Sequence, residues 1–348
     1  MTTENPLNIL SIGAGAIGTY VGGSLALHGH QLTFVEQPQV AKQLDLSGLR
    51  LDLHGVEHRA TNVNIVGHLD DALQFGPFDL TLFALKSYHT KPALAGIAAF
   101  AGRLPPFLCL QNGIDNEPAL AEVFGEENVI PATVTSAVGR RAAGDIILER
   151  LRGLGIADVH PLSSQLAKAF TSAGLNVRLY PHAAAMKWSK MLTNLIANAS
   201  SAILDMTPAE VFAHPGLFAL EIRQLRECLA VMRAQNIPVV DLPGTPVRAL
   251  AFGVRYLPLA VLRPIMARMV GAGRGAKMPS FHIDLHAGSP HSEVDYLNGA
   301  VVRLGDQLGI PTPANRLLNT TLLSLTRKET PLETFHRSPE HLLSSFKQ

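Results

Sequence analysis

Cysteine is nearly absent: the 348 residues hold two, Cys109 and Cys228, far apart and in apolar stretches. That excludes a disulfide framework and a thiolate zinc site, and it predicts buried thiols in a reducing compartment. Charge is also scarce. Charged residues make up 16% of the chain, and 29 Lys+Arg against 28 Asp+Glu leave a net charge of +1. With neither sign in excess, a surface dedicated to nucleic acid is not expected. A hydrophobic content of 47% argues against long disorder. Long uncharged apolar runs are missing as well. The strongest candidate, 247–270, is cut by Arg248, Arg255, Arg263 and Arg268, so no membrane span is expected. The opening Met-Thr-Thr-Glu-Asn-Pro lacks the basic segment that precedes a signal-peptide core. What these absences leave is a soluble, cytoplasmic protein of two domains, at roughly 100–200 residues per domain.

The first half alternates short apolar runs with helical patterns. Residues 7–12 read as a buried strand ended by Gly13, and 19–28 as a helix stopped by Gly29. Residues 32–35, 63–66, 80–85 and 107–111 read as further strands. Such alternation implies βαβ units and a mostly parallel sheet. Residues 129–138 and 146–151 look β-rich, and 177–180 read as the last strand of this unit. Beyond Pro181 the character changes, and 183–203, 215–235, 247–269, 293–308 and 314–326 all read as helical.

Gly13-Ala14-Gly15-Ala16-Ile17-Gly18 fits G-x-G-x-x-G between the first strand and the first helix. In that context Gly13 permits a tight turn, Gly15 lets the backbone approach a pyrophosphate, and Gly18 lets helix and strand pack closely. The helix N-terminus then offers free N–H groups to the phosphates. Glu36, at the end of the second strand, suits the ribose hydroxyls of NAD and repels the 2′-phosphate of NADP. No arginine follows it, and Lys42 is the nearest cation. The alternative is that Glu36 points to solvent while Lys42 or a more distant arginine receives a phosphate. The expected fold class is α/β: an N-terminal Rossmann-type domain with a mostly parallel sheet over residues 1–181, plus a C-terminal all-α domain over 182–348. The first holds the dinucleotide; the second shapes the substrate site and the dimer.

The glycine loop, Leu82-Phe83-Ala84-Leu85-Lys86-Ser87-Tyr88, Leu110-Gln111-Asn112-Gly113 and Lys190…Asn194…Asn198 together resemble the ketopantoate reductase family. So do Ser292-Glu293-Val294-Asp295-Tyr296-Leu297-Asn298-Gly299 and Leu308-Gly309-Ile310-Pro311-Thr312-Pro313-Ala314-Asn315. The resemblance extends over nearly the whole chain. It implies NAD(P)H-dependent reduction of a small 2-keto acid to a 2-hydroxy acid, as in pantothenate biosynthesis, and a homodimer. It implies that Lys190 is the general acid, with Glu293 beside it in the catalytic set. Asn112 then contacts cofactor and substrate, Lys86 sits beside the cofactor, and Asn194, Asn198, Ser280 and Glu293 hold the substrate. Family habit leans to NADPH, whereas Glu36 leans to NADH.

Local chemistry bears on the same residues. Lys190, Asn194 and Asn198 are spaced i, i+4, i+8, one stripe of a continuous helix, on a segment whose Leu192, Leu195 and Ile196 want burial. Amides and an amine in such a stripe need partners, which a substrate carboxylate and carbonyl would supply, although a solvated polar face would also satisfy them. Glu293 would also serve as an ordinary first-turn glutamate.

Three features depart from the family pattern. Gln37 stands where an arginine is often found, the family's Asn-Pro-Leu-Thr reads Asn198-Ala199-Ser200-Ser201, and 242–278 is long. The stretch 271–277 reads as a glycine-rich basic loop, either an anion site using Arg274 and Lys277 or a plain connector. His282 and His286 have metal-ligand spacing, but no His-Glu-x-x-His accompanies them and fourteen histidines make chance pairs common. No metal is therefore expected. Two rivals stay open: an NAD-dependent 2-hydroxyacid dehydrogenase acting on another branched or aromatic keto acid, and a non-catalytic dinucleotide sensor.

Overall fold

The computed structural model describes residues 6–274 and 277–346. The chain divides into two compact units, one running to Lys187 and regaining 242–245, the other formed by 188–241 and 246 onward. The division falls inside the Ala183–Leu195 helix rather than at Pro181–His182. Residues 242–245 return because the Thr135 hydroxyl donates to the Pro243 carbonyl at 3.0 Å and Gly244 packs against Arg152.

Among its described residues the first unit has twelve strands: β1 Asn8–Ile12, β2 Gln31–Val35, β3 Leu49–Leu53, β4 Val56–Ala60, β5 Asn64–Val66, β6 Leu80–Phe83, β7 Phe107–Cys109, β8 Val129–Val134, β9 Ala137–Ala142, β10 Asp145–Arg150, β11 Leu154–Ala157 and β12 Val177–Tyr180. Eight form one sheet in the order β12-β11-β8-β7-β6-β1-β2-β5. From β5 to β8 every pairing is parallel; β11 runs antiparallel to β8 and parallel to β12. The strands are apolar on both faces because both are covered. Ile9, Phe34, Leu82, Leu108 and Ile130 pack on one side, and Leu10, Ile12, Phe83, Phe107 and Cys109 on the other. Each such leucine or phenylalanine, fully withdrawn from water, stabilises the unit by roughly 1.5–3 kcal/mol.

A second sheet, β4-β3-β10-β9, was not anticipated. Its β3–β4 hairpin turns at His54-Gly55, both with positive φ, after a β3 strand whose leucines alternate. It lies over the Ala16–Leu27 helix, close enough that a Cβ on Gly23 would come 2.8 Å from Leu51.

Among its described residues the second unit is built from helices, and two expected long helices are each broken. The segment 183–203 forms Ala183–Leu195 and Asn198–Leu204, separated at Ala197, whose φ is 51°. A non-glycine residue in that conformation needs compensation, and Glu221 of the Pro215–Ala234 helix supplies it. Its buried carboxylate accepts from the Ala197 N–H at 2.7 Å, the Ser200 hydroxyl at 2.6 Å and the Gln224 amide at 2.8 Å. The segment 247–269 breaks at Leu257-Pro258 into Val247–Tyr256 and Leu259–Arg274, where proline disfavours helix in the residue before it. Residues 271–274, expected in a loop, end that second helix; 275–276 lie outside the described residues.

Replacing Glu221 with alanine strands three buried donors. Glu221→Ala is expected to cost about 3 kcal/mol, read as a lowered urea midpoint, with Glu221→Gln recovering part of the loss.

Candidate active site

The sheet reverses its winding at β1. The chain runs outward through β2 to β5, then returns to β6 on the other side of β1 and continues to β7 and β8. The loops after β1 and β6 therefore leave the carboxyl edge at a topological switch point, where α/β sheets bind ligands. The glycine loop follows β1. Gly13 has φ +100°, and its N–H donates to the Val35 carbonyl at 3.1 Å. A Cβ on Gly18 would lie 2.1 Å from the Gly13 carbonyl oxygen, so only glycine lets the helix start this close to the strand.

Gly15 differs. Among the described residues a Cβ there would meet no atom within 4 Å, so the space in front of it is open. Gly15 is also the N-cap of the Ala16–Leu27 helix, which has no side-chain cap and no acid in its first turn. An open backbone surface at an uncapped helix N-terminus suits a pyrophosphate, with Ala14, Ala16 and Ile17 contributing backbone around it. Glu36 faces this loop. Its Oε1 accepts from the Ala14 N–H at 2.5 Å and its Oε2 from the Gln37 N–H at 3.1 Å.

Lys86 and Asn112 follow β6 and β7, on loops stitched together by buried amides. The Asn112 carbonyl accepts from the Ser87 hydroxyl at 3.1 Å and the Asn116 amide at 2.7 Å. Gln111 donates to the Leu85 carbonyl at 3.0 Å and to Thr90 Oγ1 at 2.9 Å. Beneath them lies a residue that sequence reasoning missed. Lys187 is 6% exposed; its Nζ pairs with Glu117 at 2.6 Å and donates to the Gln111 carbonyl at 2.6 Å. It anchors the turn that presents Asn112. The available signal was a lysine set between Met186 and Trp188, two residues that want burial. Burial and the nearby Glu117 carboxylate push the Cys109 thiol well above its usual range, so it is no nucleophile.

In the second unit Lys190 and Asn194 share the Ala183–Leu195 helix, Lys190 half-buried. Asn198 does not continue their stripe, because it begins the next helix. Its amide nonetheless donates back to the Asn194 carbonyl at 3.1 Å, and its Oδ1 accepts from the Phe281 N–H at 3.2 Å. Asn198 thus ties the end of the Lys190 helix to the start of Ser280–His286, where Ser280 is exposed. Glu293 is 5% exposed and is the N-cap of Val294–Gln307, one position before the helix proper.

The family model "Ketopantoate reductase PanE/ApbA" matches residues 9–161, and "Ketopantoate reductase PanE/ApbA C terminal" matches 183–325. The 2-dehydropantoate 2-reductase of Pyrobaculum aerophilum is 30% identical over 241 residues, spanning 68% of this chain and 74% of that protein. A crystal structure of a PanE/ApbA family ketopantoate reductase from Ralstonia eutropha JMP134 is similar at TM-score 0.76 and 29% identity, over 92% of this chain and 99% of that one. The ternary structure of D-mandelate dehydrogenase with NADH and anilino(oxo)acetate shares the fold at TM-score 0.74 and 20% identity, over 92% and 99%. Sheet, loop and relatives define an NAD(P)-dependent oxidoreductase acting on CH–OH groups. More narrowly, the chain belongs to the ketopantoate reductase family.

Because no atom of the described residues fills the space at Gly15, Gly15→Ala is expected to leave Tm within about 2 °C, an N-cap effect at most. The same variant should weaken binding of NADH and NADPH at least about tenfold, ~1.4 kcal/mol, by fluorescence titration.

Proposed function

We propose that this protein reduces 2-dehydropantoate, a small 2-keto acid, to the corresponding 2-hydroxy acid in the cytoplasm, as a homodimer. The observation that carries the reading is the helix break at Ala197, which sets Asn198 against Asn194 and Phe281 on the helix pair that bears Lys190. Relatives named for that activity support the substrate. Phe252, Tyr256 and Ile265, exposed apolar residues on successive helices, support the dimer.

When bound, the nicotinamide supplies a hydride to the carbonyl carbon. Lys190 stabilises the charge that develops on the carbonyl oxygen and gives it a proton from Nζ. Asn112, Asn194, Asn198 and Ser280 orient the substrate through amide and hydroxyl hydrogen bonds, while Glu293 fixes a substrate hydroxyl. Gly13, Gly15, Gly18 and their neighbours would hold the phosphates of the dinucleotide, and Lys86, on the loop after β6, would stand beside it.

The preferred cofactor in this reading is NADH. A carboxylate that accepts from the Ala14 N–H holds negative charge at the loop, and this disfavours a 2′-phosphate. A second reading keeps the chemistry and changes the keto acid to a branched or aromatic one. It is favoured by Glu36 and by Asn198-Ala199-Ser200-Ser201, where the family pattern differs.

Lys190→Ala is expected to lower kcat about 10³-fold with the NADH dissociation constant unchanged; wild-type turnover in this variant would sink the assignment. Glu36→Ala is expected to narrow the NADH-over-NADPH preference in kcat/KM about tenfold, ~1.4 kcal/mol. An unchanged ratio would point the carboxylate away from the ribose.

A further inference from the structure

At the far ends of the two helices that begin with Asn198 and Ser280, the second unit gathers three metal-ligating side chains from two elements. His282 and His286 lie one turn apart on Ser280–His286, their rings stacked with centroids 4.0 Å apart and planes 19° apart. Asp205 ends the Asn198–Leu204 helix with φ 50°. That backbone turns its carboxylate towards the histidines, and Oδ1 lies 2.7 Å from His282 Nε2. One donor atom from each of the three falls within 4.8 Å of the others. The second carboxylate oxygen lies 3.4 Å from His336 Nδ1.

Sequence spacing supplied only the histidine pair. The fold adds the carboxylate, from a residue 77 positions earlier, and with it the mixed nitrogen and oxygen set that suits zinc and its neighbours. A tetrahedral ion with bonds of about 2.1 Å sets its ligand atoms ~3.4 Å apart. The His282–Asp205 contact, at 2.7 Å, must therefore open by about 0.7 Å, and any contact as wide as 4.8 Å must close by about 1.4 Å. Next to the cluster is a cavity of 180 Å³ lined by Asp205, His286, Glu333 and His336 with Ala202, Ile203 and Leu332. It is roomy and polar enough to hold an ion with its water.

We propose that Asp205, His282 and His286 bind one divalent transition-metal ion of the zinc type, with a fourth position open to the cavity. Such an ion clamps the Ser280–His286 helix to the end of the Asn198–Leu204 helix, the pair already joined by the Phe281 N–H to Asn198 Oδ1. Its role is structural, and its binding is read without any turnover measurement.

The test uses the full-length protein stripped with EDTA and titrated with Zn²⁺ by calorimetry, then with Co²⁺ by visible absorption. The expected result is one Zn²⁺ per chain with a dissociation constant of about 1 µM or tighter, an intense tetrahedral Co²⁺ band and a raised Tm. His286 is exposed, so His286→Ala should fold and yet weaken binding at least about tenfold. Asp205→Asn should weaken it likewise, and His54→Ala, in the exposed β3–β4 turn, should bind as the wild type does. Absence of stoichiometric Zn²⁺ uptake at about 100 µM, or unaltered affinity in His286→Ala, would overturn the proposal.

Discussion

The carboxylate of Glu221 has no access to water, and the second unit is organised around what it accepts. Three donors converge on it from Ala197, Ser200 and Gln224. A buried carboxylate is tolerable only when its oxygens are satisfied, and here that requirement and the helix break meet each other's need. Without the acceptor, the Ala197 N–H would be an orphan and its positive φ uncompensated. With it, one helix ends at Leu195, the next begins at Asn198, and the Asn198 side chain bridges both to Ser280–His286. Gln224 extends the network to Asn298 at 3.0 Å, and Asn298 to Asn315 at 3.1 Å, linking two further helices.

The first unit presents its loops by a parallel device. The Lys187–Glu117 pair is buried beneath the Gln111–Asn112 turn and holds it by the Gln111 carbonyl. The glycine loop instead is held by contact: the absence of a Cβ at Gly18 allows the helix to start against the Gly13 carbonyl. In both units groups proposed to meet ligand rest on a support largely withdrawn from water. This is how a reactive constellation acquires rigidity without giving up its exposed atoms.

Legibility in the sequence follows range. The glycine loop could be read because strand, turn and helix are contiguous and each glycine answers to a neighbour within a few residues. The parallel strands could be read from their apolar runs. The β3–β4 hairpin was legible in principle, since Leu49, Leu51 and Leu53 alternate before His54-Gly55, and so was the break before Pro258. The break at Ala197 was not. No proline or glycine marks it, and its cause is a carboxylate 24 residues away. The support under Asn112 depends likewise on Lys187, 76 residues from Gln111. Long-range charge-assisted hydrogen bonds leave no periodicity to detect.

The account stands on one chemical claim, that this scaffold passes a hydride to a 2-keto acid. The most direct measurement is the initial rate of NADH and NADPH oxidation by the wild-type protein across a panel of 2-keto acids, read as loss of nicotinamide absorbance. The account predicts saturable turnover, one dinucleotide oxidised per keto acid reduced, with 2-dehydropantoate giving the highest kcat/KM. A protein that binds the dinucleotide yet oxidises it with no keto acid in the panel would contradict it.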